Sequence, residues 1–187
     1  MVCALFAALT VVMTVTPYFG YIKYNPVAPE ITTIHIVVIL AAAILGPKDG
    51  ALIGGIWGIT CLCRAFTDPA FALFINPLIS VLPRIIVGLV AGAVSKGLLK
   101  KAEKKPKAKP FVLGLTAVVG TLTNTVLVLT AMHFFGDMIN VYADLYKMVS
   151  MIYTTIISVN GIIELVAAVI IVPALYMATE RYFKNKL

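Results

Sequence analysis

Two ionisable residues interrupt long apolar stretches: Arg84, directly after Pro83, and Glu164, four residues after Asn160. A charge at such a position costs roughly 2.5–3.5 kcal/mol on membrane-insertion scales, and groups of this kind usually mark a functional site. The planar fork of an arginine matches a carboxylate bidentately. Asn124, set between Thr123 and Thr125, and Asn160 each combine donor and acceptor, which suits hydroxyl or amide groups. The spacing of Asn160 and Glu164 puts both on one helix face. Trp57, the single tryptophan, offers a ring for stacking. Each residue also has a structural alternative. Arg84 could snorkel to the headgroups, Glu164 could serve as a partner for Arg84 or for the backbone, the asparagines could bond helix to helix, and Trp57 could simply pack. His35 and His133 fall near segment ends, where an interfacial position competes with a site role. His35 is kept as a candidate contact, together with Tyr24 of the first loop.

Sequence motifs for other chemistry are missing. The stretch from Gly92 to Gly97 begins like a phosphate loop but continues with Leu98, where Lys-Ser or Lys-Thr would be required. No zinc-protease pair, serine elbow or aspartate pair is present. Cys61 and Cys63 form a lone C-x-C without a His or Cys partner nearby, and Cys3 leaves the count odd, so they read as small apolar helix residues rather than a disulfide framework or metal site. The sequence calls for no cofactor.

The elements that hold these residues follow from composition. The chain is 61% hydrophobic and 12% charged over 187 residues, against about 25% charged in ordinary soluble domains. A soluble fold of this size has too little interior for that apolar surface, whereas a bilayer is itself an apolar solvent. The punctuation of Pro, Gly and charge divides the chain into six apolar segments: about 2–16, 31–45, 51–63, 78–99, 111–135 and 148–178. Spanning takes roughly 17–25 apolar residues. The last three segments meet that length. The second and third fall short and could form a re-entrant hairpin around the turn Gly46 to Gly50. The expected fold is a single all-α domain, an integral bundle of six transmembrane helices. No secretory signal peptide is evident, because MVCALFAALTVV lacks a basic region.

Charge orients the bundle. The net charge is +7, but the basic residues cluster in one run from the end of segment four to the start of segment five (Lys96, Lys100, Lys101, Lys104, Lys105, Lys107, Lys109) and at the C-terminus (Arg181, Lys184, Lys186). With Lys48 this places eleven cations on one side, against Lys23, Arg64 and Lys147 on the other. Such bias puts the basic side and both termini in the cytoplasm and argues against nucleic-acid binding. The outer loops carry Tyr18, Tyr21, Tyr24, Phe66, Phe71 and Phe74, and the first, with Pro26 and Pro29, would serve as a lid. A few polar groups in an aromatic-lined apolar cavity describe a pocket for a small polar, anionic ligand entering from outside. Small residues recur every four positions: Gly50/Gly54/Gly58 and Gly88/Gly92 for internal packing, and Ala4/Ala8 as a face for a partner helix.

The stretch TTIHIVVILAAAILGPKDGALIGGIWGITC, then NPLISVLPRIIVGLVAG, resembles the substrate-binding (S) components of energy-coupling factor (ECF) transporters, among them most the pantothenate-specific type. The start ALFAA is similar to the family's A-x-x-x-A helix motif. The resemblance implies six transmembrane helices, a vitamin bound near the outer face, and assembly with a transmembrane coupling subunit and two cytoplasmic ATPases. It also implies that Ala4 and Ala8 face the coupling subunit and that the chain itself is no enzyme. Another vitamin (folate, riboflavin, pyridoxine) is an alternative. So is a self-sufficient proton-coupled carrier using Glu164; an integral membrane enzyme lacks an acid–base or metal cluster to start from. If the lysine run sets the orientation, replacing its lysines with glutamates will perturb insertion. Side-specific labelling of single cysteines in intact cells checks this, and an unchanged labelling pattern would mean that orientation comes from elsewhere.

Overall fold

A computed structural model describes residues 1–16, 18–22, 30–102, 105–135 and 143–184. Its helices are α1 (Val2–Val15), α2 (Ile34–Leu45), α3 (Pro47–Ala65), the single turn α4 (Pro77–Ser80), α5 (Leu82–Ala102), α6 (Lys109–Phe135) and α7 (Ala143–Lys184). A two-stranded antiparallel hairpin, β1 (Tyr21–Ile22) and β2 (Ile31–Thr32), pairs Tyr21 with Thr32 at the end of α1, and a 3-10 helix covers Pro69–Ile75. The six long helices correspond to the six expected segments.

The bundle is built around α2. All residues from Ile34 to Ala43 are buried, and the helix packs against α1, α3, α5, α6 and α7. A helix that is apolar all round belongs in an interior. Its 12 residues extend about 18 Å, short of a hydrocarbon core of about 30 Å. Because protein surrounds it, it has no lipid thickness to match. The large exposed side chains of the surrounding helices are apolar: Leu5, Leu9 and Val12 on α1, Leu89 on α5, Leu122 and Val126 on α6, Ile163, Val166 and Ile170 on α7. In water this surface would drive aggregation; in lipid it is the solvated face. Three stretches, Pro77–Ala102, Lys109–Phe135 and Val159–Glu180, are long and apolar enough to cross a membrane.

The joint between α2 and α3 is tighter than the expected turn. Only Gly46 lies outside the helices, at φ 100°, a left-handed conformation that favours glycine. Pro47, Lys48, Asp49 and Gly50 already form the first turn of α3, which explains why the helix is longer than segment three. Proline is pre-shaped for a helix start, and an acidic residue there complements the helix dipole.

α3 and α5 pack backbone to backbone. A side-chain carbon added at Gly54 would overlap the carbonyl oxygen of Arg84, and one at Gly88 would overlap that of Gly50. Without a hydrophobic force between helices in lipid, such close approach is a main source of attachment. Gly54→Ala should therefore cost about 1–3 kcal/mol as an overpacked contact. The control is Gly97→Ala, also in α5, where a Cβ meets nothing within 4 Å. Thermal unfolding in detergent should show a lower Tm for the first and an equal or higher Tm for the second; equal Tm values for both would deny the seam its role.

Candidate functional site

Arg84 owes its position to the residue before it. Pro83 has no N–H, so the carbonyl of Ile79 lacks its helical donor. The α4–α5 break falls here, and the Arg84 Nη1 donates to that carbonyl at 2.6 Å. Asn76 starts α4 by accepting from the Leu78 N–H at 3.0 Å, with Pro77 in the first helical position, and its Nδ2 donates to the Phe135 carbonyl at the end of α6. Arg84 is only 5% exposed, so it does not snorkel. Its guanidinium carbon lies 5.0 Å from the Trp57 ring centre and 5.1 Å from that of Phe74. Its Nε has no hydrogen-bond partner among the described residues.

Trp57 is held from the other side. Its Nε1 donates to the Tyr21 hydroxyl at 3.1 Å, joining α3 to the hairpin. Burial pushes the Tyr21 phenol well above its ordinary range, so it stays a neutral hydroxyl, with a lone pair for the indole. Tyr21 also meets Phe71 edge to face, with ring centres 5.5 Å apart.

The remaining polar groups come from α2, α6 and α7. The Glu164 carboxylate accepts from the backbone N–H of Thr32 at 2.6 Å, so α7 fixes the hairpin strand β2. Glu164 lies within electrostatic range of Arg84, yet the two make no ion pair; of the two structural partners considered for Glu164, Arg84 or the backbone, the structure has the backbone. His35, in the first turn of α2, is wholly buried beside the backbones of Thr32 and Glu164, but neither ring nitrogen attains hydrogen-bond geometry with a described residue. Asn124 on α6 is buried with its Oδ1 unpartnered among the described residues, as is the Thr121 hydroxyl one turn away. Asn160 is buried on α7. It sits at the level of Asn124, since a carbon at neighbouring Gly161 would lie 3.1 Å from the Thr125 hydroxyl.

The structure thus joins Arg84 to Trp57, Glu164 to the Thr32–His35 turn, and Asn124 to the level of Asn160. Tyr24 and the loop with Pro26 and Pro29 lie outside the described residues. Tyr18 and Phe66 point outward, 73% and 70% exposed, and leave the aromatic lining to Tyr21, Phe71 and Phe74. His133 is exposed at the end of α6. Ala4 and Ala8 lie exposed on α1. The backbone amide of Thr32 has no signature in the sequence, because every residue but proline carries one. Tyr21 was visible only as one loop aromatic among several.

A multi-pass helical membrane protein with buried, incompletely satisfied polar groups gathered at the hairpin end of the bundle is what fold and site define together. The profile of the family described as "ECF transporter, substrate-specific component" matches residues 1–176, and the chain belongs to that family. The chain is 32% identical over 177 residues to the "Pantothenate transporter PanT" of Leuconostoc mesenteroides, an alignment covering 91% of this chain and 86% of that one. It is 33% identical over 201 residues to the "Pantothenic acid transporter PanT" of Lactococcus lactis subsp. cremoris, covering 98% and 94%.

Proposed function

We propose that this chain is the high-affinity pantothenate-capturing subunit of an ECF-type importer, with residues 1–187 as one S-component domain and both termini in the cytoplasm. The observation that carries the reading is Arg84, a buried guanidinium without a carboxylate partner among the described residues. An uncompensated charge at membrane depth is costly, and a bound anion removes that cost. Pantothenate supplies a carboxylate for Arg84, and its hydroxyls and amide suit Asn124, Asn160 and the His35 ring. Trp57 forms the wall behind Arg84, Glu164 holds the hairpin against α7, and Tyr24 of the first loop is assigned as a further contact. The two pantothenate-transporter relatives support the choice of vitamin.

Transport then depends on partners. A transmembrane coupling subunit docks on the exposed Ala4–Ala8 face of α1, and two cytoplasmic ATPases supply the energy. Small residues at this spacing let a partner helix approach closely.

Calorimetry on the purified chain should give pantothenate binding, weakened by about 1.5–3 kcal/mol in Arg84→Ala, the range for a hydrogen bond to a charged group. Unchanged affinity would reduce Arg84 to a structural role. In vesicles reconstituted with coupling and ATPase subunits, Ala4→Trp or Ala8→Trp should abolish uptake while sparing pantothenate binding. Normal uptake by these variants would remove the docking assignment, and uptake driven by a pH gradient without ATPases would remove the partner scheme.

A further inference from the structure

A second arginine stands on the far side of the same aromatic cluster. Arg64, in the last turn of α3, has its guanidinium carbon 4.5 Å from the Tyr21 ring centre and 4.0 Å from that of Phe71. Its charge is already matched: Glu30 takes both terminal nitrogens, at 2.8 and 2.9 Å, and Asp68 lies 3.3 Å away. This geometry leaves Arg64 little capacity for a ligand anion. A cleft of about 240 Å³, lined by Arg64, Glu30, Tyr18, Tyr21 and the end of α1, exposes one flank of the pair, so the pair rather than bulk burial secures this corner.

The two arginines are connected by two routes. One runs from Arg64 to Tyr21, by hydrogen bond to Trp57, and on to Arg84. The other runs from Arg64 to Phe71, to Phe74 at 5.8 Å between ring centres, and on to Arg84. Two cations therefore bracket four rings. An arginine fixed at its outer end by an ion pair that spans both terminal nitrogens and includes one hydrogen bond has few ways to move, and rings stacked on it inherit that order. We infer that Arg64 is a positioning residue of the ligand site: held by Glu30, it clamps Tyr21 and Phe71 and through them sets Trp57 and Phe74 around Arg84.

The inference rests on the reading of the Arg84 chamber as the ligand site, and the sole tryptophan separates the two claims. Emission and acrylamide quenching of the ligand-free chain in detergent report Trp57 directly. Arg64→Gln should shift the emission to the red and raise quenching, and pantothenate affinity should fall by about tenfold, with Arg64→Lys restoring little because an ammonium lacks the planar fork. Tyr21→Phe, which cuts only the hydrogen-bonded route, should give a smaller spectral change of the same sign, and the Arg64→Gln/Tyr21→Phe pair should fall short of the sum of the two, because that route is shared. Wild-type emission and affinity in Arg64→Gln, or full additivity in the pair, would overturn the inference. Should Arg64→Gln not fold, Glu30→Gln keeps the stack and frees its outer end. A smaller shift of the same sign supports the clamp, and no shift rejects it. If the wild-type chain binds no pantothenate, the proposed substrate fails, while the spectral arm still decides the clamp.

Discussion

A charged guanidinium at membrane depth is the constraint on which the site depends. Arg84 cannot be left in hydrocarbon, and its neighbours supply only part of what water would. Pro83 provides one acceptor by leaving the Ile79 carbonyl without a helical donor. Trp57 and Phe74 present ring faces to the cation. Glu164 lies near enough to influence it, but its carboxylate is engaged with the Thr32 backbone. The positive charge therefore stays unneutralised among the described residues, the condition in which an anion binds with the greatest gain.

The packing serves the same end. α3 reaches α5 backbone to backbone because Gly54 and Gly88 carry no side chain, and Gly54 lies directly on the Arg84 carbonyl. The seam thus fixes the backbone of Arg84, and one turn along α3 from Gly54 the same helix delivers Trp57. The other helices differ in kind. α2 is enclosed and free of lipid, while α6 and α7 each divide into an inward face with Asn124, Asn160 and Glu164 and an outward face of Leu, Ile and Val. At the opposite end of the bundle, Lys109 and Glu180 join α6 to α7 at 2.6 Å. This arrangement leaves the polar inner faces clustered at the hairpin end.

Membership of the ECF substrate-specific family fits this division. The buried polar cluster is built from helix starts plus a hairpin tied to α7 and α3.

Much of this was legible in the sequence. Hydropathy alone established a membrane bundle and its six segments, because lipid demands long apolar runs from any chain that crosses it. Arg84, Glu164, Asn124, Asn160 and Trp57 stood out for the same reason: polar and amphipathic groups are conspicuous against an apolar background. The glycine spacing announced a helix seam. Three things were settled only by the tertiary structure. The short second segment is a buried central helix rather than a marginal span, a matter of which neighbours enclose it. Glu164 bonds a backbone amide from a strand 132 residues away in sequence instead of Arg84; a backbone amide leaves no trace in residue type. Arg64, which the sequence offered only as an outer-loop charge, closes the aromatic cluster because α3, the hairpin and the 3-10 helix meet there. Composition and periodicity report each residue's average surroundings, whereas a contact between distant residues depends on how the helices are placed together.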